Sequence, residues 1–281
     1  MINTDFCAFV LSHGRAERVH TVKALRRAGY TGEIILVIDD EDSQGERYRE
    51  IFSHVEVFNK ANIARTFDLG DNFTNNKVII YARNACFEIA RKLNYLYFVQ
   101  LDDDYQRFEY RVYGDGSGPT FISNLDRVFD TLLTLYKSIP ADSISMAQGG
   151  DFIGGKENQM AKTPTLFRKC MNSFICSTHR GFKFVGRINE DVNTYVHGAS
   201  VGRLFFTVPF CSLVQVPTQS SSGGMSDVYQ DQGTYVKSFY SVMYHPSSVT
   251  IRPMGESYRR LHHHIKWNHT TPRILHEKAK H

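Results

Sequence analysis

Much is missing from this chain. Its 281 residues contain no apolar run approaching the ~20 residues of a membrane-spanning helix. The opening Met1-Ile2-Asn3-Thr4-Asp5 has neither the basic segment nor the apolar core of a secretory leader. Five cysteines, at 7, 86, 170, 176 and 211, are odd in number and include no C-x-x-C pair. The simplest expectation is a reduced, cytoplasmic setting. There is no G-x-G-x-x-G, which argues against a classical dinucleotide fold, and no G-x-x-x-x-G-K-[ST], which excludes a P-loop enzyme. No repeat and no linker of domain-separating character interrupts the chain, so a single domain spanning 1–281 is expected.

What is present is an ordinary globular balance, 42% hydrophobic and 22% charged, with charge placed unevenly. The net charge is +4, yet residues 252–281 hold seven Lys or Arg against Glu256 and Glu277, which is +5 and leaves −1 for the remainder. The same segment carries six of the twelve histidines, with Tyr258 and Trp267 among them. A basic segment with aromatics suits a polyanion such as nucleic acid; charge alone leaves a solvated C-terminal face equally open.

Phe6 to Leu11 reads as an apolar strand, followed by the turn Ser12-His13-Gly14-Arg15. Val19, Val22, Leu25 and Ala28 then recur at helical spacing up to Gly29, and a second strand, Glu33 to Ile38, ends in Asp39-Asp40-Glu41-Asp42. This is a βαβ unit. Helical stripes follow over Tyr81–Leu93 and Leu125–Tyr136, the latter stopped by Pro140. Strands are expected at 96–101, 143–148, near 171–177, at 204–208 and at 213–216. The pattern predicts an open, mainly parallel α/β sheet flanked by helices, whose ligands bind at the carboxyl ends of the strands.

The run Leu96–Leu101 delivers Asp102-Asp103-Asp104 to such an end, as the second strand does Asp39. Like charges at a sheet rim are costly unless a cation neutralises them. Hard oxygen ligands suit Mg²⁺ or Mn²⁺, which shares its remaining positions with substrate phosphates. If the pleat persists, Asp102 and Asp104 face one side and Asp103 the other. A solvated acidic turn is the plain alternative.

The ordered set of a βαβ start, an acidic strand end near 39, Arg83-Asn84 at a helix start, an Asp-x-Asp about twenty residues later and Gly186-Arg187-Ile188-Asn189-Glu190-Asp191 resembles the GT-A glycosyltransferases. Three further stretches are similar to the TET-associated glycosyltransferases of bacteriophages: 222–229 (Ser-Gly-Gly-Met-Ser-Asp-Val-Tyr), 233–239 (Gly-Thr-Tyr-Val-Lys-Ser-Phe), and Ile265-Lys266-Trp267-Asn268 with Pro272-Arg273-Ile274. The resemblance covers nearly the whole chain. It implies a GT-A-like sheet with a nucleotide-sugar half over about 1–148, an acceptor half over about 149–251 and the basic segment 252–281. The implied activity is inverting, Mn²⁺- or Mg²⁺-dependent hexosyl or pentosyl transfer. The donor is a nucleotide sugar, of which UDP-sugars are the commonest in similar enzymes. The acceptor is the hydroxyl of a 5-hydroxymethylpyrimidine in DNA, such as 5-hydroxymethylcytosine, in the host cytoplasm if the chain is phage-encoded.

The resemblance also distributes roles. Asp104 is assigned to the metal, Asp102 to metal or ribose, and Asp39 to base or ribose. Asp103 is counted with the nucleotide-sugar contacts or with holding its loop. Arg15 and Arg83 are phosphate or nucleobase contacts, because a guanidinium forks onto oxygen pairs; Arg83 pairing with Glu88 or another carboxylate on a neighbouring helix is the alternative. Asp191 is the candidate base and Glu190 its runner-up, although a helix dipole alone favours acids there. A C-terminal histidine is a third metal ligand in similar enzymes, and His264 is preferred to His262 and His245. The glycine pairs 149–150 and 154–155 bracket Asp151 as an acceptor loop or an ordinary turn. Trp267 and Tyr258 are candidates for stacking on an extruded base, with a core anchor as the other reading of Trp267. Arg259, Arg260 and Lys266 are candidate phosphate contacts. Two rivals remain: a glycosyltransferase with a polysaccharide, lipid or protein acceptor, and an inactive sugar-nucleotide fold that binds nucleic acid.

Overall fold

The computed structural model describes residues 4–74, 76–111, 118–148, 151, 166, 168, 170, 171, 173–216, 236–254 and 259–277. The expected βαβ start is present: β1 (Phe6–Leu11), α1 (His20–Arg27) and β2 (Glu33–Asp39). Gly29 ends α1 at φ +82, and a Cβ there would lie 2.4 Å from the Ser123 carbonyl oxygen, so only glycine fits. Next come α2 (Gly45–Ile51), β3 (Val55–Phe58), α3 (Lys60–Ala64) and α4 (Ile80–Lys92). They are followed by β4 (Tyr97–Asp102), β5 (Tyr105–Tyr110), β6 (Thr120–Phe121), α5 (Leu125–Ser138) and β7 (Ser143–Gln148). The second half adds β8 (Ser173–Ser177), α6 (Glu190–Ser200), β9 (Phe205–Gln215) and α7 (236–244). It closes with β10 (Val249–Met254), β11 (Arg260–Ile265) and α8 (Trp267–Thr270).

Among the described residues nine strands form one sheet in the order β3-β2-β1-β4-β8-β7-β9-β5-β6, and β10-β11 form a second, antiparallel pair. The β3-β2-β1-β4 block is parallel throughout. Beyond it the sheet is mixed, with β8 antiparallel to both neighbours and β7 parallel to β9. This is the α/β architecture the sequence predicts, parallel in the first half and mixed in the second.

Strand alternation splits the core. Ala8 and Val10 of β1 face one side, packed with Leu25 of α1 and Phe129 of α5; Cys7 and Phe9 face the other, with Ala85 of α4 and Val196 of α6. Both faces are covered, which is why the central strands read as continuous apolar runs.

Two expectations are corrected. The strands expected at 204–208 and 213–216 are one strand, β9 (Phe205–Gln215), whose register against β7 shifts from Met146 opposite Val208 to Ala147 opposite Ser212. Pro209 lies in that irregularity and breaks the sequence pattern. The pleat does not persist through the aspartates: β4 ends at Asp102, 103–104 form a turn, and β5 re-enters the sheet beside β9. The described residues of the basic segment form the β10-β11 hairpin and the helix α8.

Candidate active site

The β1 end is laced to the loop after β2. Gly14 N donates to Asp42 Oδ2 at 2.8 Å, Ala16 N to Gln44 Oε1 at 2.8 Å and Arg15 N to the Tyr48 hydroxyl at 2.9 Å. At the end of β2, the Asp39 carboxylate is held from three directions. His13 Nδ1 lies 2.7 Å from Oδ2, while Lys60 Nζ at 3.4 Å and Glu41 N at 3.1 Å reach Oδ1. Burial works against the Asp39 charge, but the hydrogen bond and charge of His13 and then Lys60 overcome it and lower the pKa. His13, unmarked in the sequence reading, therefore sits outside a carboxylate it shares with Lys60, and its side chain is 27% exposed against 9% for Asp39.

The three aspartates diverge at the turn. Asp103 is buried, accepting from Ser12 Oγ at 2.6 Å and Arg15 Nη1 at 3.3 Å, and its carbonyl accepts from His20 N and Thr21 N. It fastens the turn to α1. Arg15 is thereby also engaged within the protein. Asp102 pairs with Arg83. Asp104 Oδ1 is buried without a hydrogen-bond partner. Burial, then the charges of Asp102 and Asp103, push the Asp104 pKa up to about 7. Burial likewise raises Asp102, and Arg83 offsets this only in part.

Arg83 lies in the first turn of α4 and is 1% exposed. Its Nε donates to Glu190 Oε1 and its Nη2 to Asp102 Oδ1, each at 2.9 Å. Burial opposes its charge; Asp102 and Glu190 restore it and raise the pKa above the ordinary value. Glu190 opens α6 behind Asn189, which is left-handed at φ 56. Burial, then Asp191, push Glu190 up to about 7 against the pull of Arg83. Asp191 is also buried; its Oδ1 accepts from Val192 N at 2.7 Å, and Oδ2 makes no hydrogen bond among the described residues. The approach to α6 is braced by Arg187, whose Nε reaches both Asp71 oxygens at 2.8 and 2.9 Å, while the Tyr240 hydroxyl donates to the same carboxylate.

Asp102 at the end of β4 and Glu190 at the head of α6 thus meet at Arg83, with Asp104 beside Asp102 at the turn and Asp191 near enough to raise the pKa of both Asp102 and Glu190. Among the described residues no three His, Cys, Asp or Glu are grouped so as to hold a metal by themselves, so His264 does not join Asp102 and Asp104. It pairs with Thr250 across the hairpin, and its Nδ1 is buried without a partner. His263 is instead the histidine that lies against the α6 entrance, with Nδ1 3.4 Å from Asn189 Nδ2. The aspartates fit a hard divalent cation even so: two carboxylates, one with an unpartnered buried oxygen, suit an ion whose shell is completed by phosphates.

Asp151 is buried, accepting from Gln148 N at 2.9 Å and paired with Arg168, which is a structural tie rather than an open acceptor contact. Trp267 is half-buried and packs edge-on against Tyr195 of α6 with centroids 5.7 Å apart, which anchors it to that helix. Arg259 and Lys266 are exposed. The Arg260 side chain, Tyr258, both glycine pairs and the segments 222–229 and 233–235 lie outside the described residues.

No helix among the described residues is long and apolar enough to cross a membrane. No curated protein matches the chain. A solved structure described as "Crystal Structure of a Mycobacterial Protein" aligns with 92% of this chain and 83% of its own, at 8% identity and a TM-score of 0.45; that likeness carries no argument. The family model described as TET-Associated Glycosyltransferase matches residues 6–224, which include every carboxylate of the cluster and stop short of β10-β11. The chain belongs to the TET-associated glycosyltransferase family, enzymes that transfer a sugar from a nucleotide-sugar donor to an acceptor.

Proposed function

We propose that this glycosyltransferase moves a sugar, with inversion, from a UDP-sugar to the hydroxyl of a 5-hydroxymethylpyrimidine in DNA, using Mn²⁺ or Mg²⁺. The observation that carries the reading is the meeting of Asp102, with Asp104 beside it at the strand end, with Glu190 and Asp191 through Arg83. A strand-end pair supplies hard ligands, and a helix start supplies a base. Asp102 and Asp104 would hold the ion, which supplies Lewis-acid neutralisation of the diphosphate leaving group when bound. The nucleoside end of the donor would lie toward His13 and Asp39.

Asp191 is the better base of the acidic pair. Glu190 is committed to Arg83 at 2.9 Å, whereas Asp191 Oδ2 makes no hydrogen bond among the described residues. The Val192 N–H anchors the other oxygen, so Oδ2 is left to take the acceptor proton as the hydroxyl attacks the sugar. The acceptor assignment is supported by charge. Arg252, Arg259, Lys266 and Arg273 are all exposed on the C-terminal segment, and Trp267 docks that segment on α6, the helix that begins with Glu190.

The deciding experiment is incubation with 5-hydroxymethylpyrimidine DNA, unmodified DNA and a panel of nucleotide sugars, read by nucleoside mass spectrometry. A hexose or pentose mass on the hydroxymethylated base alone is expected. If both DNAs stay unmodified while a polysaccharide, lipid or protein acceptor gains sugar, the nucleic-acid reading falls and the family activity stands.

A further inference from the structure

Arg83 touches a carboxylate from each half of the fold. Asp102 ends β4 in the donor half, and Glu190 heads α6 in the acceptor half, 107 residues from Arg83 in sequence. The guanidinium lies over the Phe174 and Phe184 rings, 5.2 and 5.8 Å from their centroids. Its Nη1 is buried with no hydrogen-bond partner. The backbone behind it is fixed as well. Gln100 Nε2 donates to the Arg83 carbonyl at 3.1 Å, and Asn84 is bonded both ways to the Phe184 backbone, at 2.9 and 3.1 Å. Two carboxylates therefore share one buried guanidinium on a fixed backbone.

We propose that Arg83 is a positioning residue that couples donor capture to the acceptor side of the site, by sharing a single guanidinium between Asp102 and Glu190. The inference rests on the donor reading given above and extends it. Whatever draws Asp102 away, as engagement by a metal–diphosphate would, turns the fork toward Glu190 and stiffens the head of α6, where Asp191 is the next residue. Whatever removes Glu190 turns the fork wholly onto Asp102 and withholds it from the donor. Linkage makes the two effects equal in free energy. A lysine cannot replace the fork, because an ammonium is a point charge and does not hold two planar partners at once.

The test is calorimetric titration of UDP with Mn²⁺ into wild type, Glu190→Gln, Arg83→Lys and the double variant, with GDP, CDP and ADP as companion probes. Glu190→Gln is expected to weaken diphosphate binding about tenfold, although Glu190 belongs to the acceptor side; couplings of this kind typically span about 5- to 150-fold. In the Arg83→Lys background the same change should alter binding less than about twofold, so the two substitutions are non-additive. A merely structural Arg83 would lower Tm and turnover in Arg83→Lys and leave the Glu190→Gln effect on binding intact. Unchanged diphosphate affinity in Glu190→Gln overturns the proposal, whether or not Arg83→Lys folds. Additive variants on a wild type that does bind overturn this proposal alone. A wild type that binds none of the four diphosphates overturns the donor reading and this inference together.

Discussion

Asp104→Asn should make the metal-free protein more stable while removing most of its activity. Burial and the neighbouring charges of Asp102 and Asp103 raise the Asp104 pKa from 3.8 to about 7. Its folded-state value thus lies above its unfolded one, and between the two the folded chain binds more protons. Stability must then fall as pH rises through that window, with the full penalty present above the folded value. A rise of roughly three units at ~1.36 kcal/mol each sets the penalty near 4 kcal/mol. Asparagine removes the charge and leaves a polar group in the same place, so a net gain of ~2–4 kcal/mol is expected at about pH 8, shrinking toward zero near pH 4. Urea unfolding of both proteins in chelator, at both pH values, measures this directly. Saturating UDP with Mn²⁺ should cancel most of the difference, since a ligand at about 100 times its Kd adds ~2.7 kcal/mol to the state that binds it. A variant less stable than wild type at about pH 8, or a difference that ignores pH, would show that the Asp104 carboxylate is not held against its neighbours' charge. Full turnover by the variant, or by wild type in chelator, would refute the metal assignment.

Asp191→Asn should lower turnover by roughly 10²–10⁴, the usual range for a general base, with UDP affinity little changed; a large loss of affinity at normal turnover would move the base elsewhere. Binding to DNA should weaken with salt at a log–log slope of about −0.9 for each duplex phosphate neutralised. Replacing Arg259 and Lys266 with Ala should flatten that slope and raise the acceptor KM, and an unchanged slope would place DNA on another face. Asp71→Asn leaves the buried Arg187 guanidinium without its carboxylate and should cost about 3 kcal/mol in denaturant unfolding; a loss below about 1 kcal/mol would mean that its other bonds, those to Asn76 Oδ1 and the Phe73 carbonyl among them, suffice to hold it.

By itself the sequence determined the elements whose side chains repeat with a period. The strands read at 6–11, 33–38 and 96–101, the helical stripes over 81–93 and 125–136, and the placement of acids at strand ends were all legible, because burial on one or two faces writes a local pattern. Where a proline breaks the pattern, as Pro209 does inside β9, one strand reads as two. The choice among three adjacent histidines was not legible either, since it depends on the register of β11 against β10. Tertiary structure alone decided that Asp151 answers Arg168, that Trp267 packs on Tyr195 and that His13 stands outside Asp39. It alone decided the partners of Arg83, which lie 19 and 107 residues away. A charge buried between distant segments has no periodic signature: its position is set by which strands and helices converge, and its state by whichever opposite charges they bring within a hydrogen bond.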